Sequence, residues 1–179
     1  MSHAIFEADE HHAEFMAMYP EPVQPTAAAS IQAERVLLSF GFLSLGSLDA
    51  VADYLKPEHF AEPLHGKVFA RLLAALKRGA QEVDVIAVAD ELQDDVKLPE
   101  LVAISHQAEG VSRSRAASLG RLVFEKAQAR QLYAASQQIA ELAFGDGPIA
   151  GRIDAAQAAV SALQAHETSE TILRFTLIL

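Results

Sequence analysis

Four groups of residues in this chain could carry chemistry: the pair Gly66-Lys67, the serine of Phe42-Leu43-Ser44-Leu45-Gly46, the histidines His59 and His65, and the acids Asp90, Glu91, Asp94 and Asp95. A phosphate-binding loop needs G-x-x-x-x-G-K-[ST], so that backbone N–H groups cradle the phosphates and a hydroxyl reaches the magnesium. Here Ala61 stands at the first glycine position and Val68 at the hydroxyl position. The pair also falls inside a predicted helix. A nucleophile elbow needs G-x-S-x-G, and Phe42 replaces its first glycine. Zinc takes three or four well-placed ligands. His59 and His65 have no third ligand at a suitable spacing, and His11 and His12 lie far away near the N-terminus. Catalysis by paired carboxylates needs a cleft and perturbed acidities, so the four acids read as a solvated helix end. The absence of cysteine excludes disulfides, zinc-thiolate sites and thiol catalysis. The chain therefore reads as non-enzymatic, with no catalytic, cofactor-binding or metal-binding residues and no cofactor.

Charge narrows the partners. The 14 Lys and Arg against 24 Asp and Glu leave a formal net charge of −10. Binding a polyanion requires cations that displace its counterions, so direct DNA binding is expected to be weak or absent. The charge is uneven. Residues 1–30 carry Glu7, Asp9, Glu10, Glu14 and Glu21 with no Lys or Arg. Residues 113–130 carry Arg113, Arg115, Arg121, Lys126 and Arg130 against Glu125 alone. Any anion contact is expected there, and a solvated helix face is the competing reading. Phe60, Phe69 and Phe124 fall on apolar helical faces and read as core rather than as platforms for stacking bases.

The elements that would position these residues are helices. Residues 1–29, with Pro20, Pro22 and Pro25, read as an acidic tail in which Glu7 to Met18 could form one short helix. Ser30 is a candidate N-cap for a first helix through Leu38. Leu48, Val51 and Leu55 share one helical face in a second helix ended by Pro57. Pro63 suits the first turn of a third, whose face is Leu64, Val68, Phe69, Leu72, Leu73 and Leu76 and whose end is Gly79. Asp84 caps a short helix with Val85, Val88, Ala89 and Leu92. Pro99 opens another, with Leu98, Leu101, Val102 and Ile104, that Gly110 closes. The longest uncharged apolar run, Val36 to Leu48, is broken by Gly41 and Gly46. It is shorter than the roughly 20 residues that span a bilayer, so no membrane association is expected. The N-terminus lacks the basic region of a signal peptide, and a cytoplasmic protein is expected.

The last third predicts a long helix from about Ser114 to Phe144, a break at Gly145-Asp146-Gly147-Pro148, and a second arm. Ile149, Ile153, Ala156, Val160 and Leu163 step by 4, 3, 4 and 3, which is a heptad seam. Leu119, Leu122, Val123, Leu132, Ile139, Leu142 and Ala143 face it from the long helix. Two such arms joined by a tight turn make an antiparallel hairpin. A hairpin this long buries one side of each arm, so a second copy is expected to cover it, through Leu119, Leu122, Val123, Ile149, Ile153, Val160 and Leu163. The alternative is that the hairpin folds back onto the 30–110 core. The expected class is all-α: a tail (1–29), a helical globule (30–110), a dimerising hairpin (111–166) and an apolar, β-like end (167–179) of unassigned structure.

Several segments, in order, resemble the N-terminal domain of DnaB-type hexameric replicative helicases. Ile31-Gln32-Ala33-Glu34-Arg35-Val36-Leu37-Leu38 is similar to that family's opening helix, and Leu55-Lys56-Pro57-Glu58-His59-Phe60 to its proline turn. Pro63-Leu64-His65 with Val68-Phe69 resembles its P-x-H-x-x-I-F helix. Gly79 with Val83-Asp84 matches its next turn, and Glu125-Lys126-Ala127 with Arg130 and Leu132 its long helix. The resemblance covers about residues 30–165. The chain departs from the pattern at Gly66, where the family has Arg, at Leu98–His106, which lacks a G-G-x-x-Y-L element, and at Leu119-Gly120, where the family has Tyr-Ala.

The resemblance implies a helical globule and hairpin that dimerise and form a trimer of dimers. It also implies docking of primase or a helicase loader, with ATP hydrolysis confined to a motor domain that these residues do not contain. Three readings follow. The first is a replicative-helicase collar domain. The second is a stand-alone regulator or loader that binds a full-length helicase. The third is a helical nucleic-acid-binding protein using the basic segment.

Overall fold

The computed structural model describes residues 27–92 and 97–176, with side chains placed for 31–92 and 97–163. The expectations for the N-terminal tail, its histidines, Asp94 and Asp95 lie outside these residues. Among the described residues all regular structure is helical.

Helix α1 spans Ala27–Leu43. It is already formed at Ala27, so Ser30 lies inside it and is not its N-cap. The alanines at 27–29 extend the helix at the lowest propensity cost of any residue. The expected second helix is instead a 3-10 turn, Leu45–Ala50, followed by turns over 51–54. Its bonds run i to i+3, from Ser47 N to Ser44 O at 3.0 Å and from Val51 N to Leu48 O at 2.9 Å. Few residues separate Ser44 from Pro57, and nucleating a short α-helix is costly. Three residues per turn still place positions three apart on one side, so Leu48, Val51 and Leu55 are all buried.

A second 3-10 turn, Pro57–His59, leads into α2, Pro63–Lys77, with its proline in the first turn. Leu64, Val68, Phe69 and Leu72 are buried and Leu73 and Leu76 partly so, as the face predicted. Gly79, at φ +77°, closes the helix. Its N–H donates to Leu76 O at 2.9 Å and that of Ala80 to Ala75 O at 3.1 Å, so a glycine in left-handed conformation satisfies the last carbonyls. Helix α3, Val85–Glu91, is capped by Asp84, whose Oδ1 accepts from Ile86 N at 2.8 Å. Helix α4 spans Leu98–Ser105 with Pro99 in its first turn and ends well short of Gly110.

Helix α5, Arg113–Phe144, has 32 residues and starts at Ser112, whose Oγ accepts from Arg115 N at 3.3 Å. Helix α6, Ile149–Thr176, returns beside it. The segment expected to be β-like is helical as far as Thr176, because adding residues to an existing helix costs far less than starting one.

The direction of α5 follows from two arginines. Arg113 reaches Gly46 O at 3.5 Å and Asp49 at 3.7 Å, just past the end of α1. Arg130 donates to His59 O at 2.8 Å, beside the residues that bond Glu34 in the middle of α1. The two helices are therefore antiparallel, and α1 begins where α5 leaves the globule. Ala116 and Val123 of α5 belong to the same core as Leu37, Leu38, Phe40, Leu48, Leu72, Leu101 and Ile104. The first half of α5 thus completes the globule, across the boundary expected at 111, and its second half projects as the hairpin. No helix among the described residues is long and apolar enough to cross a membrane.

Candidate oligomer interface

The residues expected to form a seam lie along one side of α6. At about 100° per residue, Ile149, Ile153, Ala156, Val160 and Leu163 fall within roughly 80° of arc on α6. The main packing partner of α6 is α5, and that contact leaves much of the stripe uncovered. Ile149 is 60% exposed, Ile153 50% and Val160 44%, with Leu163 partly buried. Between the arms lies an open cleft lined by Ile139, Ile153, Ala156, Gln157, Val160 and Ser161. Leu132 on α5 is also exposed, while Leu142 is partly buried.

The other expected interface residues lie elsewhere. Val123 is fully buried in the core of its own globule, and Leu119 and Leu122 pack partly buried against that core. Val123 therefore leaves the set available to a partner. The periodicity identified the apolar side of α5, but the globule covers that side over its first turns.

The basic residues of α5 do not form one patch. At about 100° per residue Arg115, Lys126 and Arg130 share roughly 60° of arc, while Arg113 and Arg121 lie on other sides, Arg121 roughly opposite Arg130. Arg113 reaches Gly46 O and stands 3.7 Å from Asp49 while largely exposed, and Arg130 donates to the His59 carbonyl. Arg115 and Arg121 are exposed and Lys126 is partly buried.

The candidate catalytic groups have structural surroundings. Gly66 and Lys67 lie within α2, and a Cβ on Gly66 would stand 2.5 Å from Pro57 O. The missing side chain lets the Pro57–His59 turn sit against the helix. His65 is buried, and its Nδ1 lies 2.8 Å from Glu34 Oε2. His59 is buried too. Its Nδ1 accepts from Lys56 N at 3.1 Å, and its ring meets Phe124 edge-on at 5.0 Å between centroids. Tyr54 packs edge-on to Phe124 at 5.9 Å. These contacts dock the proline turn on α5. Glu91 pairs with Arg71 at 3.4 Å on the surface. Among the described residues no cluster of three or more metal-ligating side chains comes together.

Two residues that matter were not singled out from the sequence. Glu34 is a fully buried carboxylate; its signal was an acid inside an apolar helical run. Arg152 packs over the end of α5; its signal was being the one basic residue in 131–163.

The geometry has counterparts among known proteins. The family model described as the DnaB-like helicase N terminal domain matches residues 26–118. Among solved structures, the N-terminal domain of DnaB helicase from Mycobacterium tuberculosis matches with a TM-score of 0.64 at 25% sequence identity, over 74% of this chain and 96% of that one. No curated protein matches the chain.

Proposed function

This chain belongs to the family of DnaB-like helicase N-terminal domains, and from that premise we propose that it acts as a non-catalytic assembly and docking module in DNA replication. Its hairpins pair into a dimer, and dimers can assemble further into a ring. The globule and hairpin together then form a platform for a primase, a helicase loader or another helicase protomer.

The observation that carries this reading is the stripe of Ile149, Ile153 and Val160 exposed along one side of α6. Burying apolar area contributes about 25 cal/mol per Å², so a second hairpin laid along the stripe is stabilised without any new chemistry. The net charge of −10 favours a protein partner over a nucleic acid. The scattered and partly engaged cations of α5 point the same way.

The docking claim is tested with purified full-length helicase and primase from the same host, each titrated against the labelled chain. Saturable binding to either supports the module. Binding to the helicase alone favours a regulator that enters mixed assemblies. Binding to neither, together with DNA binding of steep salt dependence, would refute the platform and move the function to Arg115 and Arg121.

A further inference from the structure

We propose that Arg152 is the positioning residue of the hairpin: it locks α6 against the end of α5 and so fixes the phase in which the apolar stripe is presented.

The need for a lock follows from how α5 ends. The last turn of a helix leaves its carbonyls without intrahelical partners. Helices often close with a left-handed glycine, but Gly145 is extended, at φ −71° and ψ 166°. The last turn of α5 also has no basic residue of its own to face the negative end of the dipole. The link to α6 is Gly145-Asp146-Gly147-Pro148, with Gly147 at φ +107°. Two glycines in four residues give that link wide conformational freedom. Pro148 restrains only its own φ, so contacts between the arms must set the rotation of α6.

Arg152 supplies what the link lacks. Its Nη1 donates to Gly145 O at 2.9 Å and Ala143 O at 3.0 Å, with Leu142 O at 3.5 Å. One cation from α6 thus takes up Ala143 O and, at longer range, Leu142 O at the end of α5, together with Gly145 O, and stands at the negative end of the helix dipole. Arg152 adjoins Ile153 and lies one turn past Ile149. Fixing Arg152 therefore fixes the direction of the stripe. This role holds whatever covers the stripe, although its consequence for assembly rests on the reading above.

The chain has no cysteine, so two introduced cysteines can be spin-labelled without background. Gln137 of α5 and Ala158 of α6 are exposed and outside the cleft lining. The Gln137→Cys/Ala158→Cys chain, labelled and diluted into unlabelled chain, reports the distance between arms within one molecule by pulsed electron resonance. A single narrow distance peak is expected, lost to a broad distribution in Arg152→Ala and partly restored in Arg152→Lys. Lysine keeps the charge and donors on a shorter reach. Circular dichroism run in parallel should show that Arg152→Ala keeps its helix content. A narrow, unshifted peak in Arg152→Ala would overturn the proposal. Because the readout is intramolecular, that result leaves the dimer reading intact, and a monomeric protein with the expected broadening leaves this inference intact.

Discussion

The Glu34 carboxylate of α1 and the His65 ring of α2 meet at 2.8 Å, both inside the core. The same carboxylate accepts from Ala61 N at 2.7 Å and Glu62 N at 3.4 Å, the backbone N–H groups that lead into α2. A buried acid is costly unless its lone pairs are satisfied. Here it joins three segments: the middle of α1, the approach to α2 and the first turn of α2. Removing the carboxylate leaves the His65 ring buried without this partner and takes the acceptor from the less buried Ala61 and Glu62 N–H groups. Glu34→Ala should therefore lower unfolding free energy by about 3–5 kcal/mol, read from urea denaturation. A loss below about 1 kcal/mol would show that the junction relaxes without it.

Gly66 should not tolerate a methyl group. Its Cβ would press on the Pro57 carbonyl, which is backbone and cannot rotate away. Gly66→Ala should destabilise by about 1–3 kcal/mol although alanine is the better helix former. A more stable variant would mean that the Pro57–His59 turn yields easily. Gly120 is close-packed too, but against side-chain atoms of Val51 and Tyr54 rather than backbone.

Leu72 is fully buried between α1 and the rest of the core. Leu72→Ala should cost about 2–5 kcal/mol in the same denaturation experiment. It should leave self-association of the folded fraction unchanged, because Leu72 lies in the globule. A change in assembly without loss of stability would misplace the residue.

Helix starts and faces were legible wherever one local cause sufficed. Pro63, Asp84, Gly79 and the Gly145–Pro148 break each act through their own backbone or side chain, and the structure uses them as expected. Two misses are local, since α1 starts before Ser30 and α6 runs on to Thr176, and the others are tertiary. The segment 45–55 has a helical apolar pattern, but a 3-10 turn buries the same residues, so the pattern fixes burial and not geometry. Leu119, Leu122 and Val123 lie on an apolar face that either the globule or a partner could cover. Only the antiparallel docking of α1 on α5 decides for the globule. Glu34 and Arg152 are polar residues whose partners are 27–31 and 7–10 positions away, beyond any local motif.

The surface should hold DNA weakly. Arg113 and Arg130 are engaged within the chain, and the overall charge is negative. Fluorescence anisotropy at physiological salt should give no dissociation constant tighter than about 10⁻⁵ M. Arg115→Ala/Arg121→Ala should change little. Tight binding that weakens steeply with salt would contradict this.

In the proposed dimer the exposed stripe of α6 pairs with a second copy. Sedimentation velocity of the full chain over a wide concentration range tests it most directly, with Ile153→Asp and Val160→Asp alongside. The wild-type chain should sediment as a dimer or larger. Either substitution places a charge in a seam that closes against water, at a cost of several kcal/mol. Each variant should shift to a smaller species with its helix content kept. A wild-type chain that stays monomeric at the highest concentration, or variants that sediment as the parent does, would contradict it.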